Sequence, residues 1–222
     1  PRFERQITEA VQGYQAVRRS ETVRAQVVVS EAQRRGVLVG LGELLDRFVT
    51  TRCLICLGDI FFLANPFLPF RDEVHAGHDA LGVATVAVEA ELRQSGIVDQ
   101  DAGKVYRIIE RPTGALALTG QPARWSGVAL IDRVQAMKDL ATFLSDAPPD
   151  SPPGDFFEFQ RARGRDFRCI HGSDFVNVNS PDHLLLASLY ARLEKATAGG
   201  DLSTTLARSA ESLRLSLPNS LA

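Results

Sequence analysis

The stretch that decides the fold is Arg52-Cys-Leu-Ile-Cys-Leu-Gly-Asp-Ile-Phe-Phe62, an apolar run interrupted by Gly58-Asp59. A short run that is apolar on both faces is typical of a strand buried inside a parallel sheet. Open α/β sheets bind ligands at the carboxyl ends of such strands, so Asp59 occupies a position suited to a metal ligand. The alternative is that Gly58-Asp59 only forms a turn, and this stretch by itself leaves both interpretations open.

The composition of the chain is that of an ordinary globular protein. Of its 222 residues, 45% are hydrophobic and 23% are charged, and this length suffices for one domain with a full core. The net charge of −2 gives no electrostatic reason to expect nucleic acid or a membrane surface as a partner. No apolar run approaches the roughly 20 residues of a transmembrane helix. We therefore expect neither a nucleic-acid partner nor a membrane partner.

Cys53 and Cys56 form a C-x-x-C pair, a spacing that redox and zinc sites use. Within a strand, however, positions i and i+3 point to opposite faces, and no second pair of this kind completes a metal set. We interpret both cysteines as buried thiols that act as small hydrophobic side chains. This interpretation predicts a reducing, cytoplasmic environment.

Helical and extended patterns alternate along the chain, which predicts an α/β fold with helices packed on the faces of a mixed, mostly parallel central sheet. Residues 1–196 are expected to form one domain and 197–222 a mobile tail. Residues 147–154 contain four prolines and predict an exposed loop. The predicted helices cover 3–17, 37–48, 70–80, 134–144 and 155–163 and a segment starting at Ser180; the predicted strands cover 25–29, 52–59, 81–88, 95–98, 104–109, 125–131 and 166–170.

Several segments resemble, in order and spacing, the nucleoside-diphosphate-sugar pyrophosphorylases, which are sugar-1-phosphate nucleotidyltransferases. The resemblance spans about residues 1–190. The matching segments are Glu31-Ala-Gln-Arg-Arg-Gly36 (the family's E-x-x-x-x-G), Leu57-Gly-Asp59 (its G-D strand end), Ser95-Gly96 (its Y-G), Ile109-Glu-Arg-Pro112 (its E-K-P), Trp125-Ser-Gly127 (its A-G-I) and Phe175-Val-Asn-Val-Asn-Ser-Pro-Asp182 (its W-x-D-x-x-T-P-x-D).

The resemblance implies a GT-A or Rossmann-like nucleotidyltransferase fold and a specific reaction. A sugar-1-phosphate would attack the α-phosphorus of a nucleoside triphosphate, giving a nucleotide sugar and pyrophosphate. Such transfers depend on positioning and charge neutralisation more than on covalent catalysis. Mg²⁺, the cofactor that the resemblance implies, supplies part of that neutralisation when carboxylates and phosphate oxygens hold it.

The same resemblance implies a role for each matched residue. Asp59 would bind Mg²⁺ and serve catalysis, and Asn177 stands at the position of the family's second metal-binding aspartate. Arg111 would hold the sugar phosphate where the family has lysine, which changes the geometry of the contact. The remaining roles are nucleotide binding for Gly36 and Gly58, and binding of the sugar phosphate for Gly96, Glu110, Arg111 and Gly127.

Several of these residues also have a purely structural interpretation. Glu110 and Arg111 can simply end a hairpin with both charges in solvent, and Gly36 can be a loop glycine before a helix. Gly127 can mark a bulge or a place of tight packing. These alternatives stay open at the level of sequence.

Two departures from the family pattern bear on activity. The family's first strand and glycine-rich G-G-x-G-T-R-L loop have no counterpart, so either the sequence is truncated there or the protein has lost the loop. Asn177 brings an amide oxygen but no negative charge, which lowers the expected Mg²⁺ affinity.

These departures leave two alternative functions open. One is a catalytically degenerate homologue that acts as a regulatory or scaffold subunit. The other is nucleotidyl transfer to a molybdopterin-like precursor, because the ending Val176-Asn-Val-Asn-Ser-Pro181 also resembles the molybdopterin guanylyltransferases. The sequence leaves the nucleobase, the sugar and homo-oligomer formation open.

Overall fold

The structure is a computed structural model that describes residues 36–86, 96–110, 112, 117–148, 150–172 and 174–199, with side chains described as far as Leu193 in the last segment. The helix predicted at 3–17 and the strand predicted at 25–29 lie outside these residues. So do Arg111 and the predicted tail from residue 200 onward.

The described residues alternate between helices and strands, as the sequence predicts for an α/β fold. A short 3₁₀ helix covers Leu68–Phe70. The helices are α1 Val37–Arg47, α2 Arg71–Ala76, α3 Arg133–Asp146, α4 Pro153–Ala162 and α5 Pro181–Gly199; the strands are β1 Arg52–Cys56, β2 Ile60–Phe62, β3 Asp79–Thr85, β4 Ile97–Asp101, β5 Lys104–Ile109, β6 Gln121–Asp132, β7 Phe167–His171 and β8 Phe175–Asn177.

The central sheet has six of these strands in the order β1-β6-β3-β7-β5-β4, and β6 also pairs with β4. The mixed sheet is confirmed, but its expected mostly parallel character is corrected: among the described strands, parallel pairing is confined to β3 with β7. The physical reason is the long strand β6, which runs opposite to β1, β3 and β4. Alternating helix and strand signals did not reveal this direction.

The decisive stretch forms a strand, a turn and a second strand. Strand β1 has β6 as its neighbour in the described sheet, and its side chains are half-buried or exposed. The prediction of a strand buried inside a parallel sheet is therefore wrong. Gly58-Asp59 forms a turn, and β2 then pairs with β8 in a separate antiparallel two-stranded ribbon.

The cysteine interpretation is half right. Cys53 is half-buried and packs against the core, whereas Cys56 is exposed, because its strand lies at the end of the described sheet. Both thiols are free.

Several boundaries differ from the predictions. The helix predicted to reach residue 80 ends at Ala76, because Gly77 takes a left-handed conformation with φ of 75° and caps it. The predicted exposed loop at 147–154 is partly buried in its described residues, since Pro153 already begins α4 and Ser151 and Gly154 are buried. The last helix continues to Gly199, past the predicted start of the tail.

Other local predictions are confirmed. Strands β4 and β5 form the expected hairpin, whose two-residue turn is Ala102-Gly103 with φ of 47° and 81°. Helix α5 begins as predicted, with the Ser180 hydroxyl accepting a hydrogen bond from the His183 backbone N–H at 3.2 Å.

The main core lies where α1, α3 and α4 meet the sheet, and aromatic rings fill much of it. Phe157 of α4 packs edge-on against Trp125 of β6, with ring centroids 5.4 Å apart. Phe156 and Leu140 belong to the same buried cluster. This packing holds the first turn of α4 against the sheet. Within the described part of the chain, we find no helix with the length and apolarity needed to cross a bilayer.

A buried carboxylate links three strands of the sheet at the end where β3 begins. Asp79, at the start of β3, accepts hydrogen bonds from Arg52 at 2.7 Å and Arg165 at 2.8 Å. It also accepts the backbone N–H of Asp132 at 2.8 Å. Because Asp79 is only 7% exposed, these partners replace the water that its charge would otherwise need.

Candidate functional site

A cavity of about 530 Å³ opens where the turn after β1, the ends of β5 and β8, and the first residues of α4 come together. Its size is within the usual range for a small-molecule site. Most of the residues predicted from the sequence lie in its wall. The lining consists of Val37, Leu57, Gly58, Asp59, Ile60, Gly96, Glu110, Trp125, Gly127, Pro152, Pro153, Asn177 and Asn179.

The two-stranded ribbon brings Asp59 and Asn177 together. In the β2–β8 pairing, Ile60 lies opposite Asn177, and the Val178 N–H donates to the Asp59 carbonyl at 2.7 Å. Asp59 is exposed and Asn177 is half-buried, and both line the cavity. The structure thus places the two predicted metal positions at the same end of the ribbon, on its two chain segments, and both line the same cavity.

The donor groups at this point fit Mg²⁺. They are the carboxylate of Asp59 and the side-chain amides of Asn177 and Asn179, three residues that line the cavity. Mg²⁺ typically takes one or two carboxylates and completes its coordination with water and substrate phosphates. In the described segments, no cluster of three or more His, Cys, Asp or Glu residues is arranged to hold a metal. Binding there would therefore depend on oxygens that the substrate brings.

Glu110 follows β5 directly and reaches into the cavity wall beside two glycines. A Cβ on Gly96 would lie 2.9 Å from Glu110 Oε2, and a Cβ on Gly154 would collide with the same oxygen. This oxygen is buried. The Glu110 carboxylate is therefore not fully solvated, as the hairpin-end alternative would have it, and its contact with a sugar stays a prediction.

Gly127 lies in a bulge of β6. Leu81 faces Ala129 and Val83 faces Trp125, so three residues of β6 oppose one residue of β3. The φ of Gly127 is 71°, and an added Cβ would collide with the Ile60 side chain. The structural alternative is thus confirmed, because this glycine lets the segment after β1 pack closely on the sheet. Its contact with a sugar stays a prediction, although it does line the cavity.

Trp125 is a cavity residue to which the sequence analysis gave no role of its own, although it belongs to the matched Trp125-Ser-Gly127 segment. Its backbone N–H donates to the Gly96 carbonyl at 2.8 Å, and its indole N–H donates to the Val128 carbonyl at 3.2 Å, across the bulge. Pro153 was also missed, although a proline just before a helical pattern is a signal for the first residue of a helix. The other missed lining residues include Pro152 and Asn179.

The two glycines predicted to bind nucleotide differ in their position relative to the cavity. Gly36 caps α1 with φ of 103°, as a loop glycine before a helix would, and its neighbour Val37 lines the cavity. Gly58 lines the cavity, and an added Cβ there would meet nothing within 4 Å. Contact of either glycine with a nucleotide stays a prediction. Arg111 lies outside the described residues.

The charge of Asp59 is felt by a nearby thiol. Desolvation and, to a smaller extent, the negative charge of Asp59 raise the pKa of Cys56 above its ordinary value. Both effects disfavour a second negative charge at this turn. The same negative potential would attract a cation.

Sequence comparison with known proteins finds no relative. No protein-family model matches the chain. No curated protein matches it either.

Structural comparison does find similar proteins. The UTP-bound UGPase of Acinetobacter baumannii matches with a TM-score of 0.64 at 15% identity, over 98% of this chain and 75% of that one. The inositol-1-phosphate CTP transferase of T. maritima matches with a TM-score of 0.57 at 14% identity, over 80% of this chain and 70% of that one. A protein assigned as a glucose-1-phosphate thymidylyltransferase, from Bacillus anthracis, matches with a TM-score of 0.56 at 19% identity, over 77% of this chain.

The chain covers 65% of the Bacillus anthracis protein, which is less than two thirds of its length. At these identities the similarity establishes the fold. The chain has the fold of the sugar-phosphate nucleotidyltransferases, which confirms the fold expected from the resemblance in sequence.

Proposed function

We propose that this protein transfers a nucleotidyl group from a nucleoside triphosphate to a sugar-1-phosphate, releasing pyrophosphate, with Mg²⁺ as cofactor. One observation carries the proposal: residues matched separately along the sequence converge on a single cavity. Asp59 and Asn177 come from the ribbon, Glu110 from the end of β5, and Gly127 from the bulge of β6. The structural neighbours, including one bound to UTP and one to UDP-glucose, favour the same substrate class.

The cavity combines the two kinds of chemistry that this reaction needs. Asp59 and Asn177 would hold Mg²⁺, which when bound neutralises charge on the phosphates. Glu110 offers a carboxylate that can accept hydrogen bonds from sugar hydroxyls, and Arg111 would hold the sugar phosphate. The attacking phosphate oxygen forms a bond to the α-phosphorus as the bond to pyrophosphate breaks. The protein's part is to align these groups.

The test is pyrophosphate release by the full-length protein from a panel that crosses nucleoside triphosphates with sugar-1-phosphates. We expect release with at least one pair, dependent on Mg²⁺ and abolished by EDTA. Absence of release with every pair would contradict the proposal.

Two further measurements identify the alternative in that case. Binding of UDP-glucose without turnover, measured by titration calorimetry, would favour a degenerate regulatory homologue. Release from GTP only with molybdopterin would favour the cofactor-precursor reaction, for which Asn177 and Asn179 in the cavity wall are suggestive.

A further inference from the structure

Helix α4 begins at the cavity wall, and its second residue is Gly154. This glycine is buried and lies in helical conformation. Alanine is ordinarily more favourable than glycine in a helix, because glycine loses more conformational freedom on folding. The backbone therefore gives no reason for a glycine at this position.

The reason lies in the side chain of Glu110. The nearest atoms that a Cβ on Gly154 would meet all belong to Glu110: Oε2, with which it would collide, Cδ at 3.0 Å and Cβ at 3.5 Å. Gly96 lies beside the same oxygen on another segment: a Cβ added to Gly96 would be 2.9 Å from Glu110 Oε2. The carboxylate of Glu110 thus occupies space that two glycines leave open.

This packing makes the two carboxylate oxygens of Glu110 unequal. Because Oε2 is buried, a ligand in the cavity can reach only Oε1. The carboxylate also lies beside the N-terminus of a ten-residue helix, whose dipole favours negative charge there. Glu110 therefore offers the cavity one carboxylate oxygen rather than two, from a carboxylate that is packed between two glycines.

We propose that Gly154 is a positioning residue for this acceptor: its missing side chain holds Glu110 where Oε1 accepts a hydrogen bond from one hydroxyl of the sugar phosphate. The identity of the ligand rests on the proposed function, whereas the packing of Glu110 against Gly154 does not. Because the carboxylate is the flexible end of a long side chain, a methyl group at position 154 displaces it without breaking the helix. Sugar binding is weakened in a protein that stays folded.

The test compares Gly154→Ala with a control, Gly172→Ala. A Cβ added at Gly172 meets nothing within 4 Å. With glucose 1-phosphate and UTP as probes, or the most active pair of the panel, Gly154→Ala should raise the KM for the sugar phosphate about tenfold or more. The KM for the nucleotide and the melting temperature, the latter within about 2 °C, should stay unchanged. Gly172→Ala should match wild type in all three.

A second background shows whether Gly154 acts through Glu110. In Glu110→Ala protein, Gly154→Ala should have no further effect, because the colliding carboxylate is gone. A crystal structure of Gly154→Ala should show the Glu110 carboxylate displaced. A carboxylate that keeps its place, additive effects of the two substitutions, or an equal rise in both KM values would overturn the inference. If no pair of the panel turns over, the proposed function fails, and the crystal structure still decides whether Gly154 sets the position of Glu110.

Discussion

The two sides of the cavity are built in different ways. Glu110, Trp125 and Gly127 belong to the six-stranded sheet or its ends, next to fully buried residues such as Val128. Asp59 instead adjoins a ribbon of two three-residue strands, most of whose side chains are half-buried. Within the ribbon, the ring centroids of Phe62 and Phe175 lie 6.3 Å apart. The ribbon contacts the sheet through the Arg124 guanidinium, 4.8 Å from the Phe175 ring, and through Phe62, which packs against the buried cluster that includes Val128.

The sheet side of the cavity is therefore preorganised, whereas the ribbon side is accessible to solvent. Packing between Gly96 and Gly154 restricts the Glu110 carboxylate before any ligand arrives, which reduces the entropy lost on binding. The ribbon has fewer buried contacts, so its local stability is expected to be lower. An exposed Asp59 suits a cation that enters together with phosphate oxygens. The predictions below compare the sheet with the ribbon: loss of the buried Asp79 in the sheet should affect folding, whereas changes at Asp59 and Asn177 on the ribbon should affect chemistry.

The largest expected effect is on the sheet. Asp79→Asn removes the charge that Arg52 and Arg165 share, and leaves two partly buried guanidinium groups without their carboxylate. We expect the free energy of unfolding to fall by about 3 kcal/mol. Urea denaturation measures it, with Asp101→Asn at an exposed hairpin position as the control. A loss below about 1 kcal/mol would show that this buried cluster does not hold the sheet.

The next effect is on the ribbon. Asp59→Asn should lower kcat/KM at least about 100-fold, because the carboxylate proposed to hold Mg²⁺ is gone. The melting temperature should stay at the wild-type value, since Asp59 is exposed. Pyrophosphate release measures kcat/KM and thermal denaturation measures the melting temperature, with Asp101→Asn again as the control. Robust Mg²⁺-dependent turnover by Asp59→Asn would refute the metal assignment.

Asn177→Asp adds a carboxylate to the proposed metal site on the ribbon, where Asp59→Asn removes one. A second carboxylate next to Asp59 adds negative charge to the proposed metal site, so half-maximal activity should need about tenfold less Mg²⁺. The matched control is Asn65→Asp, an exposed position whose side-chain oxygen accepts the Phe67 N–H at 2.9 Å and can still do so as a carboxylate. An unchanged Mg²⁺ requirement in Asn177→Asp would exclude residue 177 as a ligand.

The smallest effect concerns the thiol near Asp59. Desolvation raises the pKa of Cys56 and the charge of Asp59 raises it further, so Asp59→Asn should lower this pKa. At pH 8, below the pKa, a lower value means more thiolate, and alkylation should become about two- to threefold faster. Peptide mapping after iodoacetamide treatment measures the rate. Cys169, whose pKa burial raises to about 12, should stay slow in both proteins; a slower Cys56 would contradict the predicted sign.

Much of the local structure could be predicted from the sequence. The pattern from Val37 onward gave a helix, the link before Lys104 gave a hairpin, and Ser180-Pro181 gave a helix start. These predictions succeed because they depend on short-range periodicity, turn chemistry and capping. Strand direction and burial could not be predicted in the same way, as β1 shows: its apolar run lies at the end of the described sheet, where side chains are half-buried or exposed.

The sequence by itself determined which residue types were present for the chemistry: an acid after a strand, a Glu-Arg-Pro segment and a glycine in a later strand. Only the tertiary structure decided that Asp59 and Asn177 lie across one ribbon and that Glu110 and Gly127 line the same cavity. It also decided that Gly154, in a segment predicted to be an exposed loop, leaves space for Glu110. The physical reason is that sequence patterns record neighbours a few residues apart, whereas steric fit and shared cavities arise between segments brought together by strand pairing and core packing.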